Sequence, residues 1–104
     1  MPTVTTKAEL LRALHAETRV IRAFGVARLG LFGSFARDAA SANSDVDLLV
    51  EFAPGSKTLK NLVGLARYLE GELGRKVELV TPESLNRFIG KHIVQEVEHV
   101  ALAA

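Results

Sequence analysis

The sequence has 104 residues, of which 48% are hydrophobic, and its formal net charge is +1. This length suits one domain, so residues 1–104 are predicted to form a single domain with one hydrophobic core. The chain contains no cysteine, which excludes disulfides, cysteine-ligated zinc and a cysteine nucleophile. No apolar run approaches the roughly 18 residues of a membrane span and no secretory signal pattern opens the chain, so we expect a cytoplasmic protein without a membrane partner.

The charges are unevenly distributed along the chain. Residues 1–37 contain six basic and two acidic residues, a net charge of +4. Residues 38–56 contain four acidic residues and no basic ones, a net charge of −4. A basic region beside an acidic one is consistent with a phosphate and metal site, and also with a solvated helix followed by a loop. Charge alone favours the second interpretation.

The predicted elements alternate between helices and strands. The first helix is predicted to begin at a capping box of Thr6 and Glu9 and to end at Gly25. The pattern allows either one continuous helix or two helices with a break near Glu17. The later elements are a strand over residues 26–32, a short helix over 35–39, a strand over 45–52, an amphipathic helix over 59–73, a strand over 76–80 and a helix over 85–100. This order predicts an α/β or α+β fold, in which helices flank a small three-stranded sheet.

Side-chain periodicity gives two of these elements distinct faces. In the first strand, alternation predicts that one face carries Val26, Arg28, Gly30 and Phe32. The C-terminal helix is predicted to carry an apolar stripe of Ile89, Ile93 and Val97, which recur at helical spacing.

Two carboxylates lie close together in the second predicted strand. Asp45 and Asp47 are two residues apart, so their side chains point to the same side. Like charges on one face repel each other unless a cation or a proton lies between them. Magnesium favours oxygen ligands, and Glu78, central in the next predicted strand, is the natural third ligand. Taken singly, such acidic residues are more often turn or surface positions.

A predicted anion site precedes these carboxylates. Gly33 suits a turn where the backbone approaches an anion closely, and Ser34 adds a hydroxyl and an N–H where a helix dipole favours phosphate. Arg37, one helical turn later, is placed to hold the same phosphates. A lone Gly-Ser pair before a helix is usually only a cap. Together with three carboxylates, however, it indicates phosphoryl or nucleotidyl transfer.

Three segments of the sequence, residues 33–37, 44–50 and 77–82, resemble the minimal nucleotidyltransferases of the polymerase-β superfamily. The shared pattern is an apolar residue, Gly-Ser, a gap of about ten residues, Asp-x-Asp and a later acidic residue on a strand. The resemblance covers about residues 29–82 and implies a palm-like mixed sheet flanked by helices.

The resemblance also implies roles for individual residues. Asp45 and Asp47 would bind two magnesium ions, and Glu78 would assist the second metal and the acceptor hydroxyl. ATP and its phosphates would be bound by Gly33, Ser34, Arg37 and Ser44. The third carboxylate is often aspartate in this superfamily and is a glutamate here.

Many short members of this family resemble antitoxins that pair with a HEPN-domain toxin ribonuclease. The resemblance therefore implies a magnesium-dependent enzyme that transfers AMP from ATP to a toxin tyrosine and forms a hetero-oligomer with that toxin. Two alternatives stay open: an antitoxin that acts by direct binding through its apolar C-terminal stripe, and a nucleotidyltransferase for a small-molecule acceptor or a nucleic acid end. The modest net charge argues against an extended nucleic-acid partner.

Overall fold

The computed structural model describes residues 3–84 and 96–102 of the chain. Its elements are α1 (Lys7–Ala16), α2 (Thr18–Ala23), β1 (Val26–Phe32), α3 (Gly33–Ala36), β2 (Val46–Phe52), α4 (Leu59–Leu73), β3 (Val77–Val80) and β4 (Glu98–Val100). Within these residues the strands form one mixed sheet in the order β3-β2-β1-β4. β1 pairs antiparallel with β2 and β4, and β2 pairs parallel with β3. The predicted α/β fold with a small mixed sheet and flanking helices is therefore confirmed.

The core lies between one face of the sheet and the helices α1, α2 and α4. The helices contribute fully buried side chains to it, namely Leu10, Leu14, Ile21, Leu65, Leu69 and Leu73. The strands contribute Leu29, Leu31, Val46, Leu48 and Val50 from alternate positions. Because every second strand residue points into this core, the intervening residues of β2 and β3 are left for the opposite face. No helix in the described part of the chain is long and apolar enough to cross a membrane.

The helix boundaries follow local signals in the sequence. Thr6 accepts a hydrogen bond from the N–H of Glu9, and the Glu9 carboxylate accepts one from the N–H of Thr6, as the capping box predicts. The chain breaks at Glu17, so the first helical region is two helices. α4 ends at Gly74, whose φ of 68° is in the left-handed region that glycine adopts without a steric penalty.

The helix predicted over residues 85–100 is wrong at its C-terminal end. Residues 98–100 form β4, which pairs with β1 and places Val100 opposite Leu29. The pairing satisfies main-chain groups on the edge of β1 that would otherwise lack partners, and this non-local requirement overrides the helical periodicity. The sheet consequently has a fourth strand that the sequence did not predict. Residues 85–95 lie outside the described residues.

Val97 does not belong to an exposed helical stripe. It packs with Phe32, Leu49 and Val80 on the sheet face opposite the main core. This member of the predicted stripe therefore has contacts within its own chain. The other two stripe residues lie outside the part of the chain that the structure describes.

Two predictions about the region around β1 are also wrong. Val26 does not share a face with Arg28, because the β1–β2 register shifts between them; Val26 is in the core and Arg28 is exposed. The register is regular from Arg28 onwards, so Arg28, Gly30 and Phe32 do share the predicted face. The short helix begins at Gly33 rather than at Phe35, and it ends at Ala36. Its early start follows from the left-handed φ of Gly33, +77°, which ends the extended backbone of β1.

Candidate functional site

Three segments of the chain meet at the end of the sheet where β1 ends and where β2 and β3 begin. Phe32, the last residue of β1, is paired with Asp47 of β2, and Asp47 is paired with Glu78 of β3. Asp45 lies directly before β2, and Gly33 directly follows β1. Residues paired across neighbouring strands project from the same face, so the carboxylates of Asp47 and Glu78 share one side of the sheet. The fold thus brings together the residues that the sequence predicts for the site.

Gly33 lies in close contact with the carboxylate of Asp47. A Cβ atom built on Gly33 would collide with Oδ2 of Asp47 and come within 3.1 Å of its Cγ. The positive φ of Gly33 independently disfavours any side chain. Only glycine therefore allows the peptide at the start of α3 to approach this carboxylate.

The carboxyl group of Asp47 has a pKa raised to about 6. Burial is the largest cause, followed by the negative charges of Glu78 and Asp45, while the guanidinium of Arg37 acts in the opposite direction. Each raising effect reflects the cost of holding a negative charge away from water and beside other negative charges. A cation at this point would remove that cost.

The donor set fits a hard divalent cation. Carboxylate oxygens are the ligands that magnesium prefers, and the repulsion around Asp47 is the kind that a bound cation relieves. Among residues 3–84 and 96–102, no three acidic or histidine side chains are close enough to form a complete metal cage. Magnesium commonly uses one or two carboxylates and completes its coordination with water and substrate phosphates. Asp45 and Asp47 are the residues that would hold it, with Glu78 beside them.

The start of α3 offers hydrogen-bond donors next to the carboxylates. No side chain caps this helix, so its first main-chain N–H groups, together with the Ser34 hydroxyl, are available to an anion. α3 has only four residues, and the macrodipole grows with the number of aligned peptides. The helix-dipole contribution expected for phosphate binding is therefore small, and the individual donors at Gly33 and Ser34 would account for most of such an interaction.

The other two predicted phosphate ligands already have partners. Nη1 of Arg37 lies 3.1 Å from Oε1 of Glu96, and the Arg37 side chain is 55% exposed. An exposed ion pair of this kind is weak, so Arg37 remains able to turn towards a phosphate. The hydroxyl of Ser44 accepts a hydrogen bond of 2.8 Å from the N–H of Ser41 and so shapes the loop before β2.

One residue that contributes to this site, Arg75, was missed by the sequence reasoning. Its Nη1 donates to the carbonyl oxygens of Ser41, Ala42 and Ser44, at 2.8, 3.2 and 2.9 Å. Its Nε donates to the carbonyl oxygen of Val4 at 2.8 Å. No periodicity or short motif signals these contacts, because the partners are main-chain atoms distant in sequence.

Comparison with known proteins identifies the family. The sequence pattern of the nucleotidyltransferase domain family matches residues 15–102. The chain belongs to this family. It is also 41% identical over 96 residues to the protein adenylyltransferase MntA of Thermococcus cleftensis, a match that covers 91% of this chain and 96% of that protein.

Solved structures share the fold of this nucleotidyltransferase. A candidate minimal nucleotidyltransferase matches with a TM-score of 0.68 and 34% identity, covering 85% of this chain and 93% of that chain. A mutant of the toxin–antitoxin pair MntA-HpeT matches with a TM-score of 0.65 and 19% identity, covering 92% of this chain and 73% of that chain. At that identity the second likeness concerns the fold alone. The resemblance to minimal nucleotidyltransferases is confirmed.

The geometry of the nucleotidyltransferase suits the chemistry of its family. Nucleotidyl transfer is an in-line displacement at phosphorus, which requires that negative charge be neutralised and that the reacting groups be aligned. The carboxylates of Asp47 and Glu78, which share one face of the sheet, would meet the first requirement with a bound cation. The uncapped turn at Gly33 and Ser34, which lies against Asp47, would meet the second by binding the phosphates.

Proposed function

We propose that this nucleotidyltransferase transfers AMP from ATP to a hydroxyl group of a protein partner. The observation that carries the proposal is that the carboxylates of Asp47 and Glu78 share one face of the sheet, with Gly33 against Asp47 and the charge of Asp45 close enough to raise the pKa of Asp47. A protein acceptor and an adenylyl group are supported by the relative from Thermococcus cleftensis, which is a protein adenylyltransferase.

In the proposed reaction, the acceptor oxygen forms a bond to the α-phosphorus of ATP. The bond between that phosphorus and the oxygen bridging to the β-phosphate breaks, and pyrophosphate leaves with the bonding electrons. Two magnesium ions, bound by Asp45 and Asp47, would supply charge neutralisation. Glu78 is exposed and paired with Asp47, a position from which it would bind near a metal or accept the proton of the acceptor hydroxyl.

The phosphates of ATP are proposed to lie against the start of α3. The N–H groups there and the Ser34 hydroxyl would hold them, with Gly33 allowing the close approach. Arg37 would exchange its exposed partner Glu96 for the departing pyrophosphate. Ser44 would act from the loop that precedes Asp45.

The protein partner is proposed to be a HEPN-domain toxin ribonuclease, and the acceptor a tyrosine of that toxin. The proposal rests on the resemblance of the sequence to short minimal nucleotidyltransferases that act as antitoxins. A protein named MntA is also one member of the toxin–antitoxin pair MntA-HpeT. We further propose that the two proteins form a hetero-oligomer in the cytoplasm and that the chain acts as a single domain.

Asp47→Asn tests the proposed function. Because the substitution removes charge where the cation is held, transfer of radiolabelled AMP from ATP to the purified partner should fall by at least about a hundredfold. Glu51→Gln is the matched control, since Glu51 lies on the same face of β2 about 13 Å further along the strand. It should leave the transfer unchanged.

Mass spectrometry of the reaction products identifies the acceptor. AMP attached to a tyrosine of the partner is the expected result. Undiminished labelling by the correctly folded Asp47→Asn variant would refute the proposal. AMP attached only to a small molecule would refute the protein acceptor while leaving nucleotidyl transfer intact.

A further inference from the structure

Arg75 lies where three parts of the nucleotidyltransferase meet. It follows the end of α4 and directly precedes Lys76 and β3. One nitrogen of its guanidinium contacts three carbonyl oxygens of the loop over residues 41–44, and another contacts Val4 near the N-terminus. The four acceptors are all main-chain oxygens, so these bonds fix the path of the backbone rather than the orientation of a side chain.

The same guanidinium also lies against α3. Its central carbon is 5.1 Å from the ring centroid of Phe35, which is completely buried and follows Ser34 in α3. A guanidinium stacks on an aromatic face through its plane and its charge. Arg75 therefore contacts both the loop before Asp45 and the short helix that begins at Gly33.

The peptide groups on both sides of Asp45 are bound by two consecutive residues. The carbonyl oxygen of Ser44 accepts a hydrogen bond of 2.9 Å from Nη1 of Arg75. The N–H of Val46 donates a hydrogen bond of 2.9 Å to the carbonyl oxygen of Lys76. Asp45 is not itself in a strand, so these two bonds fix the main chain from which its carboxylate projects.

We propose that Arg75 is a positioning residue, which holds the loop over residues 41–44 so that the Asp45 carboxylate is oriented for metal binding beside Asp47. The inference deepens the proposed function and rests on it, because the orientation matters only if the two carboxylates share a cation. Residues that orient a metal ligand from outside the coordination shell commonly change metal affinity by about 10- to 100-fold when they are replaced.

Lysine is not expected to replace Arg75. Its ammonium group is a single point at the end of a flexible chain, whereas the arginine contacts use two separate nitrogens and a flat stacking face. Arg75→Lys keeps the charge and most of the side-chain volume but loses this geometry. It therefore separates the orienting role from a general electrostatic one.

The test measures binding of Mn²⁺ alone by electron paramagnetic resonance, in wild type, Arg75→Lys and the control Arg67→Lys. Arg67 is exposed on α4, so its replacement should change nothing. Arg75→Lys should weaken Mn²⁺ binding about tenfold or more. In the AMP-transfer assay, the same variant should need a higher Mg²⁺ concentration for half-maximal activity. Its kcat should be lower, while its KM for the protein partner should be unchanged. Adding guanidinium ion to Arg75→Ala should restore part of the Mn²⁺ affinity, whereas methylammonium should not.

The outcomes separate the two proposals. A lowered melting temperature of Arg75→Lys with unchanged Mn²⁺ affinity would show a purely structural role and overturn the inference. Weakened Mn²⁺ binding by Arg75→Lys, together with no AMP transfer by the wild type, would support the inference and refute the proposed function. Failure of the wild type to bind Mn²⁺ without nucleotide would overturn the inference, and AMP transfer by the same wild-type protein would leave the proposed function standing.

Discussion

At the scale of single residues, the charge of Asp47 destabilises the folded protein although the residue belongs to the candidate site. Its carboxylate is partly buried, is paired with Glu78 and lies two residues from Asp45. The raised pKa means that ionising Asp47 is less favourable in the folded protein than in the unfolded chain, so the ionised carboxylate lowers the free energy of unfolding. Without a cation, the protein is therefore less stable at neutral pH than the same fold would be with an uncharged side chain here.

We predict that metal-free Asp47→Asn is more stable than metal-free wild type at neutral pH. Well below the unfolded-state pKa of 3.8, Asp47 is protonated in both states and its charge costs nothing; the cost grows as the pH rises from 3.8 and is nearly complete above about 6. The expected gain is about 1–2 kcal/mol, after allowance for screening at this partly exposed side chain. Urea denaturation in the presence of a chelator, at neutral pH and below about pH 4, measures it.

Two results would argue against this account of Asp47. One is a loss of stability in Asp47→Asn at neutral pH. The other is a gain of equal size at both pH values, since an effect of charge must disappear when the wild-type carboxyl group is protonated. Glu51→Gln on the same strand serves as the control and should show little change.

At the scale of secondary-structure elements, the predictable parts are those set by local sequence. The capping box, the left-handed stop at Gly74 and the apolar stripe of α4 are all contained within a few turns of helix. The site is predictable for a related reason. β1 and β2 run antiparallel, so a motif that ends one and a motif that begins the other must lie at the same end of the sheet.

β4 and Arg75 could not be predicted in this way. β4 has three residues, too few to show a period, and it is stabilised by pairing with β1, far away in the sequence. The contacts of Arg75 are with main-chain carbonyl groups of a loop. Every residue type has such a group, so the sequence of the loop does not indicate these contacts. Gly30 gives a related case, because its lack of a side chain has meaning only once Val97 is known to lie over it.

We predict that Gly30→Ala destabilises the protein by about 1–3 kcal/mol, the usual cost of overpacking. A Cβ atom at Gly30 would come within 2.5 Å of Cγ1 of Val97, whose β-branched side chain has few other rotamers. Gly71→Ala is the matched control, since a Cβ there meets nothing within 4 Å and the residue is helical. It should stabilise the protein by about 0.4–1 kcal/mol.

Thermal or urea denaturation of both glycine variants at one pH measures the difference. Equal effects of the two substitutions would contradict the packing of Val97 over β1. A further check is hydrogen exchange at the amides of β4, which should become faster in Gly30→Ala because the strand is displaced.

At the scale of the whole molecule, helices α1, α2 and α4 lie on one face of the sheet, and the carboxylates of Asp47 and Glu78 project from the other. The proposed antitoxin thus has a structural side and a reactive side. Catalysis and direct binding would both bring the toxin to the protein, but they differ in stoichiometry. One catalytic antitoxin can inactivate many toxin molecules, whereas a binding antitoxin can inactivate only as many as it contacts.

We predict that wild type with ATP and Mg²⁺ neutralises the ribonuclease activity of its toxin at far less than one antitoxin per toxin. The double variant Asp45→Ala, Asp47→Ala should fail at that ratio, because both proposed metal ligands are lost. A ribonuclease assay after preincubation at graded ratios measures this, with wild type lacking ATP as the control. Equal potency of the double variant and wild type would instead establish neutralisation by direct binding.

The negative charge gathered around Asp47 also has a consequence for nucleotide selection. Uncomplexed ATP is itself strongly anionic, so its approach to three nearby carboxylates is opposed by Coulomb repulsion. A nucleotide that arrives already paired with a divalent ion carries less negative charge and brings a cation that the carboxylates attract. If the proposed function holds, the same repulsion that destabilises the metal-free protein would also disfavour binding of free ATP in competition with the complexed nucleotide.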